Sequence, residues 1–158
     1  AGLPTAFLGE AIRCWAVGYS GATTRANQVT APQLVTAGPY AYVRNPLYVG
    51  NFITALGFAI AFTGNNPHVE RWILIGIAMA TMLAVYAMIV PHEEEFLRAT
   101  FGASYDEYAS RVSRVWPQFP RPAAPQLGTY DARAIVRAET RTFITFAVML
   151  GILGIKAI

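Results

Sequence analysis

The chain has 158 residues, 54% of them hydrophobic and 13% charged, about half the charged share of a water-soluble domain. That balance excludes an ordinary soluble fold and makes lipid the expected solvent. The net charge of +3 comes with a single cysteine, Cys14, which excludes an internal disulfide and any cysteine-built metal site and reads as a small packing residue.

Four apolar windows, about 3–22, 47–63, 72–90 and 142–158, each approach the roughly 17 to 25 residues that cross a bilayer. They predict an all-α, multi-pass membrane protein with about four transmembrane helices and cytosolic amphipathic helices, forming one domain over residues 1–158. The first window contains Glu10 and Arg13, which share a helix face at i,i+3 and are costly in lipid unless paired. Two readings stand: a paired span, or a peripheral helix whose charges face water.

Ahead of the second window lies "GPYAYVRNPLYVGN", Gly38–Asn51. Gly38 and Pro39 turn the chain, and Tyr40 and Tyr42 suit a membrane interface. Asn45 followed by Pro46 is a helix start, with Asn as cap and proline where no donor is needed. Free amides and the positive dipole end, with Arg44 beside them and Tyr48 one turn in, make an anion-binding arrangement. "GNNPH", Gly64–His68, is a turn between the second and third windows. The resulting antiparallel hairpin brings the opening motif beside "PHEEEFL", which follows the uncharged third window.

His92–Glu95 carries three consecutive glutamates. They read either as a helix-start charge cluster or as the carboxylate side of a site whose anion-binding side is the Asn-Pro helix start. A zwitterionic, partly apolar ligand suits such a site. A metal does not, because no further ligands appear at defined spacing, and His68 and His92 fall on opposite membrane sides. After Pro91 the pattern becomes amphipathic and predicts two helices, about 92–101 and 105–114, with Ser104 and Glu107 as a capping box. The prolines of 116–125 break regular structure. Asp131 then caps a helix whose Arg133, Arg137 and Arg141 form a basic stripe, either an anchor to lipid phosphates or part of a roof over the site.

Arg25 and Arg44 lie between the first two windows, and Arg98, Arg111, Arg114, Arg121, Arg133, Arg137 and Arg141 follow the third. The positive-inside rule makes both segments cytoplasmic. That asymmetry explains the basic charge without nucleic acid, for which no basic patch interleaved with aromatics is present.

Taken together, "GPYAYVRNPLYVGN", the hairpin and "HEEEFLRATFGASYDEYASRVSRVWP" resemble the membrane methyltransferase superfamily of isoprenylcysteine carboxyl methyltransferases and phospholipid N-methyltransferases. The resemblance covers roughly Gly38–Pro117. It implies S-adenosylmethionine as methyl donor, bound by the motifs 38–51 and 92–117 at the cytosolic face, with membrane lipids around it and a lipophilic acceptor entering from the bilayer. The family's Arg-His-Pro-x-Tyr falls on Arg44, Asn45, Pro46, Leu47 and Tyr48, and its acidic pair on Glu93 and Glu94. The resemblance thereby implies cofactor binding by Gly38, Pro39, Tyr40, Arg44, Asn45, Pro46, Tyr48, Asn51, Glu93 and Glu94. Arg44, His92 and Glu93 are the residues expected to take part in catalysis, and no metal is implied.

The sequence departs from the isoprenylcysteine enzymes at Asn45, where they carry histidine, and lacks an arginine shortly before the acidic cluster. A prenylcysteine-like carboxylate is the first expected acceptor; phospholipid amines and small thiols remain open, as does a non-enzymatic membrane scaffold. A carboxylate or thiolate needs no base. An amine must first lose a proton, for which His92 or Glu93 is available.

Overall fold

The computed structural model of the chain describes residues 2–21, 33–120 and 125–156. The expectations for Arg25, Arg121, part of the proline-rich break and the outer ends of the first and last windows lie outside the described residues. The elements are α1 (Gly2–Ser20), a 3₁₀ turn (Gly38–Ala41), α2 (Pro46–Phe62), α3 (His68–Phe101), α4 (Ala103–Arg111) and α5 (Ala132–Lys156). No strand occurs among the described residues, in line with the all-α expectation.

Small residues set the closest packing. Gly2, Ala6 and Gly9 of α1 run antiparallel along Gly50, Thr54, Gly57 and Ala61 of α2, so near that a Cβ on Gly57 would sit 2.6 Å from Ala6 Cα and one on Gly9 2.6 Å from Gly50 O. Thr54 Oγ1 donates to the Ala6 carbonyl at 3.4 Å across this seam. Close backbone approach through small side chains is how helices associate where the solvent is itself apolar. On the adjoining face Phe58 of α2 and Phe146 of α5 meet edge-on with ring centroids 4.9 Å apart.

Glu10 and Arg13 do not face water: they are 7% and 5% exposed. Arg13 Nε lies 3.5 Å from Glu10 Oε2, and Arg13 Nη2 donates to both oxygens of Glu139 on α5, at 2.9 and 2.8 Å. The expectation of water-facing charges is therefore overturned, because Glu139 supplies the buried counter-charge.

The turn after Phe62 folds α3 back along α2, so that Tyr48 at the start of one meets Tyr86 just past the middle of the other, as the hairpin requires. The helix expected to begin at His92 is instead the end of α3, which continues through Pro91. One missing N–H interrupts a single turn, which a helix of 34 residues tolerates. At 1.5 Å per residue such a helix measures about 51 Å against roughly 30 Å of hydrocarbon. In a bilayer the turns after the uncharged 72–90 stretch extend past the acyl chains.

Gly102 ends α3 at φ +53° and is itself the N-cap of α4, without a side-chain cap. The predicted Ser104–Glu107 capping box is not formed: the chain turns two residues earlier, and Glu107 pairs with Arg111 at 2.6 Å. α4 thus spans Ala103–Arg111 and not 105–114, yet its predicted apolar face holds, with Tyr105, Tyr108 and Val112 buried around Leu34.

Asp131 caps α5 as expected, its Oδ1 accepting from Arg133 N at 2.8 Å. The basic stripe and the last window are one continuous helix, Ala132–Lys156. Of the four windows, α3 and α5 are long and apolar enough to cross a membrane. α2 is a shorter apolar helix of 17 residues, and α1 carries the buried charges.

Candidate active site

The site forms where α1 and α3 end and α2 and α5 begin. Gly38, at φ +61°, takes a backbone conformation that side chains disfavour, and the Tyr19 ring fills the space where a Cβ would be, its Cζ only 2.8 Å away. The Pro39 carbonyl accepts from Tyr42 N at 3.1 Å and Val43 N at 3.2 Å. Tyr40 is hydrogen-bonded to Ser20, and burial pushes its hydroxyl up to about 12. Its carbonyl accepts the Tyr108 hydroxyl at 2.7 Å. Gly38, Pro39 and Tyr40 thus seat the 3₁₀ turn on α1 and α4.

Asn45 occupies the N-cap of α2 and Pro46 follows at the first helical position, as the sequence indicates, but Asn45 makes no side-chain cap. Its Nδ2 instead donates to Glu94 Oε1 and to the Arg114 carbonyl, both at 3.1 Å. Arg44 is committed to protein groups. Nη1 donates to the carbonyls of Ala109 and Val112 at 2.6 and 2.8 Å, closing the end of α4. Nε donates to Glu94 Oε1 at 3.1 Å and Nη2 to Glu94 Oε2 at 3.4 Å.

Glu94, 4% exposed, also receives Arg114 Nη2 at 2.6 Å and Arg114 Nε at 3.0 Å, both on Oε2. Five donors converge on one carboxylate, which offers about four lone-pair directions. Burial alone raises the Glu94 carboxyl, but hydrogen bonds from Arg114, Arg44 and Asn45 outweigh it and hold it below the ordinary carboxylate value.

Glu93, one residue earlier on α3, accepts the Tyr48 hydroxyl at 2.7 Å. The Tyr48 and Tyr86 rings meet edge-on at 4.7 Å, and Asn51 hydrogen-bonds the Tyr86 hydroxyl. His92 is exposed, two residues and about 200° around the helix from Glu94. The expected residues Arg44, Asn45, Pro46, Tyr48, Asn51, Glu93 and Glu94 therefore meet; Gly38, Pro39 and Tyr40 support them from behind, and His92 stands apart.

Residues 1–104 match the sequence model of the phospholipid methyltransferase family, about two thirds of the chain and both halves of the Glu94 cluster's helical hairpin. The chain belongs to this family. Among relatives within the wider superfamily, it is 34% identical over 116 residues to a probable protein-S-isoprenylcysteine O-methyltransferase of Oryza sativa subsp. indica, covering 70% of this chain and 56% of that one. It is 36% identical over 93 residues to the protein-S-isoprenylcysteine O-methyltransferase of Schizosaccharomyces pombe, 55% of this chain and 34% of that one. A third relative is the nickel-cobalt-cadmium resistance protein NccN of Alcaligenes xylosoxydans xylosoxydans, 33% identical over 86 residues, 54% and 37% of the two chains. The chain thus spans about half the length of the rice relative it matches and about a third of the other two. No solved structure matches it.

Arg114 lies within the expected 92–117 motif but is not singled out by it, and no local pattern marks Tyr86 as part of this cluster. Arg114 read as one more cytoplasmic charge at the end of an amphipathic helix, and Tyr86 as part of an apolar span. The approach of the 112–118 segment to 42–45, tied by Arg44 N to Ser113 O at 2.8 Å and Gln118 N to Tyr42 O at 3.1 Å, is a long-range contact that no local pattern announces.

Proposed function

We propose that this chain is an integral, multi-pass membrane methyltransferase of one domain that transfers a methyl group from S-adenosylmethionine to a lipophilic acceptor at the cytosolic face. The observation that carries the reading is the convergence of the Arg44-Asn45-Pro46-Leu47-Tyr48 helix start with Glu93 and Glu94 at one end of the hairpin. Its donor set fits the methyl donor, an amino-acid zwitterion joined to a ribose diol and an adenine. Carboxylates suit an ammonium or diol, guanidinium and helix-start amides suit a carboxylate, and tyrosine rings suit flat or apolar parts. When bound, the donor supplies a methyl group already made electrophilic by its sulfonium.

In this reading Tyr48, Asn51, Glu93 and Glu94 hold the donor, with the amides that follow Pro46. Gly38, Pro39, Tyr40 and Arg44 fix the backbone that presents them. The exposed apolar faces of α3 and α5 lie in lipid, α1 and α2 complete a four-helix membrane bundle, and the arginine-rich segments face the cytoplasm. The site then contributes orientation and exclusion of water. The first acceptor is a prenylcysteine-like carboxylate, which needs no base. The match to the phospholipid methyltransferase family favours a second reading, N-methylation of an aminophospholipid, in which Glu93, hydrogen-bonded by Tyr48, takes the proton the amine must lose.

Incubation of purified protein in lipid vesicles with methyl-labelled S-adenosylmethionine and prenylcysteine analogues, aminophospholipids or small thiols tests this. Label in a prenylcysteine ester is expected; label confined to aminophospholipids selects the second reading. Label in no lipophilic acceptor contradicts both.

A further inference from the structure

Two arginines share Glu94, and they are not held alike. The Arg44 side chain is 13% exposed and two of its bonds go to the carbonyls of Ala109 and Val112. Its departure would strand those acceptors at the end of α4. The Arg114 side chain is 50% exposed, and both of its side-chain hydrogen bonds end on Glu94 Oε2. Its backbone is anchored separately, through the carbonyl that accepts from Asn45. The guanidinium is therefore free to leave the carboxylate for another anion without loosening the chain that carries it.

Glu94 has no lone pair to offer a ligand while five donors occupy it. Any ligand that uses this carboxylate has to displace a donor, and Arg114 is the one that can go. A displaced guanidinium beside an uncovered carboxylate is the charge complement of an amino-acid zwitterion. An α-ammonium replaces Arg114 on Glu94, and an α-carboxylate replaces Glu94 on Arg114. Each protein charge exchanges one opposite charge for another, so no charge is left unpaired, which makes the exchange cheap where a simple rupture would be costly.

Resting on the methyl-donor reading above, we propose that the Glu94–Arg114 ion pair opens to receive the amino-acid end of the donor, Arg114 binding its carboxylate and Glu94 its ammonium. Arg114 is thus a ligand-binding residue, and Arg44, to which the sequence pattern points, is the fixed post against which Glu94 is held. Asn45 keeps the Arg114 backbone in register during the exchange, a task that needs simultaneous donation to a carboxylate and a carbonyl and no protonation.

Calorimetric titration of the full chain in detergent with two non-reactive ligands tests the exchange without turnover. S-adenosylhomocysteine carries the amino-acid end, and 5′-methylthioadenosine lacks it. Wild type is expected to prefer the former. Arg114→Gln is expected to weaken S-adenosylhomocysteine by about tenfold or more, the scale of a lost charge-assisted contact, while moving 5′-methylthioadenosine by less than about twofold. Arg114→Lys, retaining the charge without the fork, should recover part of the preference. Equal weakening of both ligands, no change in either, or tighter binding of S-adenosylhomocysteine by Arg114→Gln overturns the exchange while leaving the methyltransferase reading intact. Wild type that binds neither ligand, with its thermal transition intact, overturns the methyltransferase reading itself.

Discussion

The molecule carries two arginine–glutamate clusters that are mirror images in composition. Within the helices, one arginine, Arg13, serves two glutamates, Glu10 and Glu139; at the end of the hairpin, one glutamate, Glu94, serves two arginines, Arg44 and Arg114. All three members of the first are nine-tenths or more buried, whereas Arg114 in the second is half exposed. The difference teaches which cluster is closed and which has a partner that can move. A charge group closed on every side by helices joins α1 to α5 and cannot open without stranding a charge, while one with an exposed partner can trade it for a ligand.

The largest effect expected from breaking this comparison comes at the closed cluster. Arg13→Met leaves Glu139 and Glu10 buried without their cation and should destabilise the fold by about 3–5 kcal/mol, read as a large fall in the thermal transition in detergent. Next comes the seam that holds α1 on α2. A methyl at Gly57 meets the Ala6 backbone, with its Cα 2.6 Å away, so Gly57→Ala should cost about 1–3 kcal/mol. Gly151, with nothing within 4 Å of an added Cβ, should accept alanine with a gain of up to about 1 kcal/mol.

The open cluster should show itself in pH dependence. Glu94 is held below its ordinary value near 4.5, so its stabilising contribution is complete above that value and is lost as pH falls through the lower folded one. Thermal transitions of wild type and Glu94→Gln should therefore stay apart by a constant amount at higher pH and converge in that acidic window; convergence on the alkaline side would contradict the assignment. The smallest effect is expected at an ion pair with no enclosure. Arg111→Ala, removing the exposed Glu107 contact, should change stability by at most about 0.5 kcal/mol.

The same contrast explains what could be read from residues alone. The hairpin was legible because an uncharged window, a Gly-Asn-Asn-Pro turn and an Asn-Pro helix start are local signals, and it was enough to place Glu93 and Glu94 beside Arg44 and Tyr48. The Glu10–Arg13 pair was legible at i,i+3, but Glu139 was not, because it comes from α5, more than a hundred residues later. Arg114 was hidden for the same reason. The continuity of α3 is not legible because a proline followed by charges marks a boundary in most helices, whereas here the helix continues through Pro91 into the charged turns. Asn45 was assigned a capping task by its neighbours in sequence and received a different one from its neighbours in space.

The central claim is that the Asn-Pro helix start and the two glutamates form one binding site for S-adenosylmethionine. Calorimetric titration of the detergent-solubilised chain with S-adenosylmethionine, comparing wild type with Tyr48→Phe and Glu93→Gln, tests it most directly. The account predicts saturable binding at one site, weakened by both substitutions while the thermal transition stays cooperative. Absence of saturable binding in folded wild type, or binding unmoved by either substitution, would contradict it.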